Sequence, residues 1–358
     1  MSHSDWQFFL AESTDMIPLV DISHECTGKS FTLSLNRPGS FNFTIPMFSN
    51  GAQFTEPSKY CVIAQKNDVI VWSGALWTKS EKFAAEKIEL SAVGWFQYLM
   101  KRFITDASHT YTTVNQGVAA FNLLALANAQ TIDAVTRPTW ITAGSNTSTT
   151  TYTSKKFERW QNIGQEILNL TEVEAGFDFV IDPDTREMNI SNWDDYLDNT
   201  NAHFAFNFGP ENVVDVTRDT NADDMSNQTY VTGQYGTAES HDTNTTHQIE
   251  YGIHQNVIQI NEVSDTAILA AISNAETAIN SLPRVIINFD PHAEGMVQSI
   301  PHLFEDYNLG DKVYLTAKRD EEEILNQGIR LFGLTLTIDE NGNEKVSSLQ
   351  TTSQTGGG

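Results

Sequence analysis

The sequence predicts a mixed, mainly β fold of the α+β class, with two small β-barrel or sandwich modules flanking a mixed α+β middle. Three observations predict it. Short alternating apolar and polar segments, broken by turn residues about every ten positions, fill residues 1–105. Apolar residues at helical spacing cluster in the interior of the chain. Alternation then returns toward the C-terminus. The expected division is an N-terminal β-barrel-like module at 1–105, an α+β middle at 106–210, a second β-rich module at 211–350 and a flexible tail at 351–358.

In the first module, Phe31 to Leu35 and Phe41 to Ile45 alternate on either side of Arg37-Pro-Gly-Ser, a turn. Strands follow at Tyr60–Ala64, Val69–Trp72 and Lys87–Val93, with Asn67-Asp68 at a hairpin tip. Val114, Val118, Ala119, Phe121, Leu124 and Ala125 share one helical face, which predicts a helix over about 114–129. Residues 131–153 are rich in Thr, Ser, Asn and Gly and read as an exposed loop. Trp160, Ile163, Gly164, Ile167 and Leu168 predict a second helix over about 155–170, capped by Ser154. A hairpin over 177–193 turns at Asp182-Pro-Asp-Thr. Residues 219–247 are polar, apart from a strand at Thr229–Gly233, and read as a surface loop region. A third helix runs over about 265–282, from an N-cap at Ser264 to Pro283. Strands at 285–289, 312–317 and 328–338 follow, and Asp339-Glu-Asn-Gly-Asn turns into the last one.

Charge is distributed unevenly. The total is −25, yet residues 1–171 carry 14 acids and 13 bases, while residues 172–250 carry 17 acids and only Arg186 and Arg218. No lysine occurs between Lys156 and Lys312. Nucleic-acid binding requires Lys and Arg to displace counterions from phosphates, so stable binding by this region is not expected. Phe177, Phe179, Trp193, Phe204, Phe206 and Phe208 are interleaved with the acids, which argues for a folded acidic surface rather than disorder. No run of about 18 apolar residues is present, so no membrane span is expected. The N-terminus has no basic stretch followed by an apolar one, so no signal peptide is expected and synthesis is cytoplasmic. Cys26 and Cys61 make no disulfide framework; two buried thiols are favoured over a bridge.

Motifs for chemistry are missing. The nine histidines form neither HExxH nor a Cys/His pair at zinc spacing, and no P-loop, GxSxG or GxGxxG occurs. The doublets Asp194-Asp195 and Asp223-Asp224 cannot make a two-carboxylate site alone, because adjacent strand residues point to opposite faces. Glycine stands at the wrong position of Asp339–Glu344 for a calcium loop. Most of the seven tryptophans sit in apolar-periodic segments and read as core. No catalytic residue, metal or cofactor is expected.

Several segments together resemble tail proteins of siphophages, above all those of actinobacterial phages. They are Leu35-Asn-Arg-Pro-Gly-Ser-Phe-Asn-Phe-Thr-Ile-Pro, Val71-Trp-Ser-Gly-Ala-Leu and Leu90-Ser-Ala-Val-Gly-Trp-Phe-Gln-Tyr-Leu-Met-Lys-Arg-Phe-Ile, then Glu172-Val-Glu-Ala-Gly-Phe-Asp-Phe-Val-Ile-Asp, Leu309-Gly-Asp-Lys-Val and the segment from Gly333 to Glu344. Their order, spread over most of the chain, carries the resemblance. The resemblance implies the baseplate-hub family, related in fold to the hub of T-even phages. It implies a trimer forming a ring that continues the tail tube, with the distal tail protein, tape measure and tail fibres as partners, at the tip of the virion tail. The sequence departs from the family in having no long C-terminal extension. A distal tail ring protein and a receptor- or carbohydrate-binding tail module are the alternatives. In such a ring, candidate lumen-facing acids are Glu172, Glu174, Asp178, Asp182, Asp184, Glu187, Asp194, Asp195 and Asp198, because like charge would keep passing DNA from adhering. The competing reading has them coat the outside for solubility.

Overall fold

A computed structural model of the chain describes residues 6–132, 135–136, 138–171, 176–192, 198–206, 212–233, 236, 238–260, 266–291, 301–319 and 322–352. It is mainly β, with several sheets and a minority of helix. The chain divides into two compact units, Met1–Val216 with Phe289–Gln350, and Thr217–Asn288 with Thr351–Gly358.

The first unit begins with β1 (Trp6–Glu12), β2 (Pro18–Asp21), β3 (Thr27–Ser34), β4 (Ser40–Pro46), β5 (Tyr60–Lys66), β6 (Val69–Lys82) and β7 (Lys87–Gly94). Alternation decides which face is buried: Phe31 and Leu33 of β3 and Phe41, Phe43 and Ile45 of β4 all point inward. Phe31 stacks on Phe41 at 4.1 Å between centroids, Phe41 on Phe43 at 4.8 Å, and Trp72 meets both Phe31 and Phe41 edge-on at 5.8 Å. Each fully buried ring contributes about 1.5–3 kcal/mol over leaving it in water. Asn67 and Asp68, both at positive φ, close the β5–β6 hairpin, whose flanking residues Lys66 and Val69 pair.

The middle of this unit holds β8 (His109–Asn115), α1 (Gln116–Asn128), β9 (Thr131–Ile132), β10 (Val135–Thr136), β11 (Thr142–Asn146), β12 (Thr151–Phe157), α2 (Ile163–Thr171), β13 (Phe177–Ile181) and β14 (Glu187–Asn192). Asn115 caps α1 by accepting from the Val118 amide. The helix buries Ala119, Ala120, Leu123, Leu124 and Ala127 and leaves Val118 exposed. Nearly every α1 position is apolar, so spacing alone could not choose its buried face. α2 starts at Ile163 rather than near 155. Residues 151–157 pair instead with β8, Ser154 opposite Thr112, and Asn162 caps the helix by accepting from the Gln165 amide. β13, β14 and β11 form a small sheet. One apolar cluster joins these elements to the N-terminal strands, with Trp95, Phe96 and Leu99 packed among Leu123, Ile163, Ile167, Phe177 and Phe179.

The C-terminal strands β15 (Asp198–Phe206), β16 (Val213–Asn221), β21 (Lys312–Arg319), β22 (Glu322–Ile338) and β23 (Glu344–Thr352) surround an inserted segment. The N-terminal half of β22 pairs with β21 (Lys312↔Arg330), and its C-terminal half pairs with β3, from Gly333↔Ser34 to Ile338↔Lys29. The strand order in this unit is therefore β23-β22-β3-β4-β7-β6-β5-β1-β2, with β21 and then β15 branching from β22. Among the described residues no closed barrel forms. Where the sequence predicts two separate barrels or sandwiches, strands from the two ends of the chain share one open sheet. The cause is the 17-residue β22, long enough to serve two partners in succession.

In the second unit, β17 (Gln228–Thr232) pairs antiparallel with β18 (Glu239–Thr243) and parallel with β19 (Gln255–Gln259). Two helices, α3 (Thr245–Tyr251) and α4 (Thr266–Asn280), accompany them; β20 (Arg284–Pro291) leads back to the first unit. α4 packs against β17 and β18. The segment 219–247, predicted as a surface loop region apart from a strand at Thr229–Gly233, contains that strand as β17, and also β18 and the start of α3. Its apolar content is low, but Val231 of β17 and Leu269 and Ala275 of α4 are buried where α4 packs against β17 and β18.

Candidate interaction surfaces

Among the described residues, no group of three or more His, Cys, Asp or Glu could hold a metal. No described helix is long and apolar enough to cross a membrane. Cys26 and Cys61 are free, and burial pushes both thiols up to about 12. Neither is a thiolate nucleophile near neutral pH.

The predicted acids separate into different roles. Glu172, Glu174, Asp194 and Asp195 lie outside the described residues, as does the side chain of Asp198, whose backbone opens β15 opposite Lys312. Asp178 is only 3% exposed. Its Oδ1 accepts from Asn36 Nδ2 at 2.5 Å and its Oδ2 from Arg330 Nη2. Asn36 Oδ1 accepts in turn from the Phe179 amide at 2.7 Å, and Arg330 Nε donates to the Gly310 carbonyl at 3.0 Å. Asp178 is therefore a clasp among the β3–β4 turn, β13 and β22. Asp182 shapes its own turn, with Oδ1 accepting from the amides of Asp184 at 2.9 Å and Thr185 at 2.7 Å. Asp184 and Glu187 are exposed.

The same hairpin is docked at its tip. Arg186, at φ 61°, donates to the Ser13 and Thr14 carbonyls at 2.9 and 3.1 Å, with its guanidinium 5.1 Å from the centroid of the Trp95 ring. Ser73 Oγ donates to the Pro183 carbonyl at 2.5 Å and accepts from Trp95 Nε1 at 2.8 Å. A second buried charge pair ties the C-terminal strands to β1 and β5. Lys66 Nζ lies 3.0 Å from Glu344 and 3.2 Å from Glu305, and it donates to the Leu303 carbonyl at 3.1 Å. Trp6 Nε1 completes the set by donating to Glu344 at 2.9 Å. Asn36, Arg186, Arg330, Lys66 and Glu344 escape the sequence reading; only Lys66 and Arg330 carry a signal, a lone charge in an apolar strand segment.

Exposed apolar side chains occur at several places, and in the second unit they include Ile249, Tyr251, Ile253 and Val257. Phe83 lies in the β6–β7 connection and Phe48 just past β4, where the Met47 amide donates to the Glu86 carbonyl. Trp160, 61% exposed, and Phe103, 46% exposed, stand where the chain pairs Phe103 with Asn162. Trp160 has φ 73°, a left-handed conformation that costs a bulky residue on the order of 1–3 kcal/mol.

No protein-family profile and no curated protein sequence matches the chain. Solved structures do. A tail protein from Neisseria meningitidis aligns with a TM-score of 0.67 at 12% identity, covering 98% of this chain and 97% of that one. A 43 kDa tail protein of prophage MuSo2 from Shewanella oneidensis gives 0.64 at 14% identity, with 97% and 98% covered. The chain has a phage tail protein fold. Prophage tail protein gp18 from Listeria monocytogenes shares the phage tail fold at a TM-score of 0.58 and 9% identity, covering 96% of this chain and 94% of that one. At such identities the phage tail fold is held by which positions are apolar and where the turns fall, not by shared side chains.

Proposed function

We propose that the chain is a structural subunit of the tail of a long-tailed phage, and that copies of it form a ring at the tail tip. The ring is a trimeric baseplate hub that continues the tail tube and meets the distal tail protein, the tape measure and the fibres. The observation that carries this reading is a fold shared end to end with proteins named as tail proteins, at 94–98% coverage of each. The described surface supports a scaffold: its buried polar groups hold segments together, and none is gathered for chemistry. The exposed acids Asp184 and Glu187, together with the other acids of 172–198 outside Asp178, face the interior of the ring, where carboxylates repel phosphates and let DNA pass without adhering. Asp178 takes no part, because Arg330 neutralises it inside the subunit. Native mass spectrometry of the purified assembly tests the stoichiometry. Three copies support the hub, six point to a distal tail ring, and a single copy in intact particles overturns the proposal.

A further inference from the structure

The patch around Trp160 combines exposed aromatic rings with a local excess of positive charge. Residues 101–109 and 155–160 carry five bases and two acids, in a chain whose total is −25. These two segments are one surface: β8 pairs with β12 as far as His109↔Phe157, and the Phe103↔Asn162 bridge extends the ribbon. At its end the Arg159 guanidinium lies 4.4 Å from the centroid of the Trp160 ring. The backbone that carries the indole is held by hydrogen bonds. The Trp160 amide donates to the Ile104 carbonyl at 2.7 Å, Arg159 Nε to the Thr105 carbonyl at 3.1 Å, and the Glu158 amide to Gln161 Oε1 at 2.6 Å.

A left-handed backbone at a tryptophan is unfavourable, and here it turns the largest apolar side chain outward rather than into the core. An exposed Trp–Arg stack on a hydrogen-bonded backbone has less freedom to lose on binding than two separate side chains, which is the property of an interface anchor. We infer that the ribbon carrying Phe103, Arg159 and Trp160 is the docking surface for an acidic face of a second copy of this chain. Charge selects that occupant. Outside these two segments each copy carries a net −28, so an acidic counter-surface is available on the same protein. Charge also selects the symmetry. Two such ribbons brought face to face would repel, so the contact joins unlike surfaces, and a head-to-tail contact of that kind generates a ring when its rotation closes, as the ring reading requires. The inference rests on the ring reading above and adds the surface that makes the ring.

Sedimentation velocity of the full chain, at low and high salt, tests it with W160A, R159E and the paired K155E/K156E, each checked for an unchanged circular dichroism spectrum. The wild type is expected to assemble and to weaken as salt rises. W160A and R159E are expected to raise the dissociation constant about 30-fold or more, as truncation of a central interface anchor does. W160G, which relieves the left-handed strain while removing the ring, serves as the folding control and is expected to lose assembly without losing thermal stability. Variants that assemble like the wild type overturn the inference and leave the ring reading standing. A wild type that stays monomeric at every concentration overturns both. Binding of a glycan array that W160A abolishes, with assembly intact, assigns the patch to carbohydrate instead and also overturns the inference.

Discussion

Asp178 and Arg330, 152 residues apart in sequence, form a buried ion pair that fastens the middle hairpin to the long strand shared by both ends of the chain. Removing one partner strands the other in a low-dielectric site, a loss of about 3–5 kcal/mol for a buried pair. R330A is expected to lower the melting temperature markedly. D178N keeps the geometry for Asn36 and is expected to cost less than D178A. A double-mutant cycle by chemical denaturation reads the coupling, and additive losses would mean that the pair carries no joint stability.

Lys66 and Glu344 form the second buried pair, with Trp6 and Leu303 supplying the remaining hydrogen bonds. Lys66→Ala is expected to destabilise by about 3–5 kcal/mol through the abandoned carboxylate. Joint replacement by Met at 66 and Leu at 344 is expected to recover most of that, because apolar partners of similar volume remove the desolvation penalty. Urea midpoints for the single and joint variants decide it. A joint variant as weak as Lys66→Ala would contradict the account.

Gly94 stands where a Cβ would meet the Pro38 carbonyl oxygen at 1.9 Å. The obstacle is backbone, so no side chain can swing aside. Gly94→Ala is expected to cost about 3 kcal/mol or more, and the readout is the fraction of soluble, cooperatively melting protein. A melting curve like the wild type's would place the β3–β4 turn elsewhere.

Three buried groups predict alkaline sensitivity. Burial raises Cys26 and Cys61 to about 12 and also raises Tyr307, which lies near Glu344 and Asp306. A group whose folded pKa lies above its unfolded one stabilises the fold fully below the unfolded value and loses that contribution as pH climbs. Stability should therefore hold below about pH 9 and fall between there and about 12. In the native protein both thiols are expected to resist a thiol reagent at pH 8 and to react once denaturant is added. Rapid labelling of either cysteine without denaturant would refute their burial.

Alternation alone determined that Phe31, Leu33, Phe41 and Phe43 lie inside, and turn chemistry placed the Asn67-Asp68 hairpin tip. Both signals are local, since a period of two assigns faces and two positive-φ residues close a turn. The α4 helix was equally legible from its apolar spacing and the proline after it. Only the tertiary structure decided that β22 leaves β21 to pair with β3, because a period of two names a strand's face and never its neighbour. That pairing turned two expected modules into one open sheet. It was also what separated Asp178 from Asp184. As letters in an acidic stretch they are alike, and one became a buried clasp because Arg330 arrived on β22 to neutralise it, while the other stayed in water. Trp160 reversed its reading for a related reason. Helical spacing assigned it to a core, but residues 151–157 found a partner in β8, the helix began only at Ile163, and the turn between them left the indole outside.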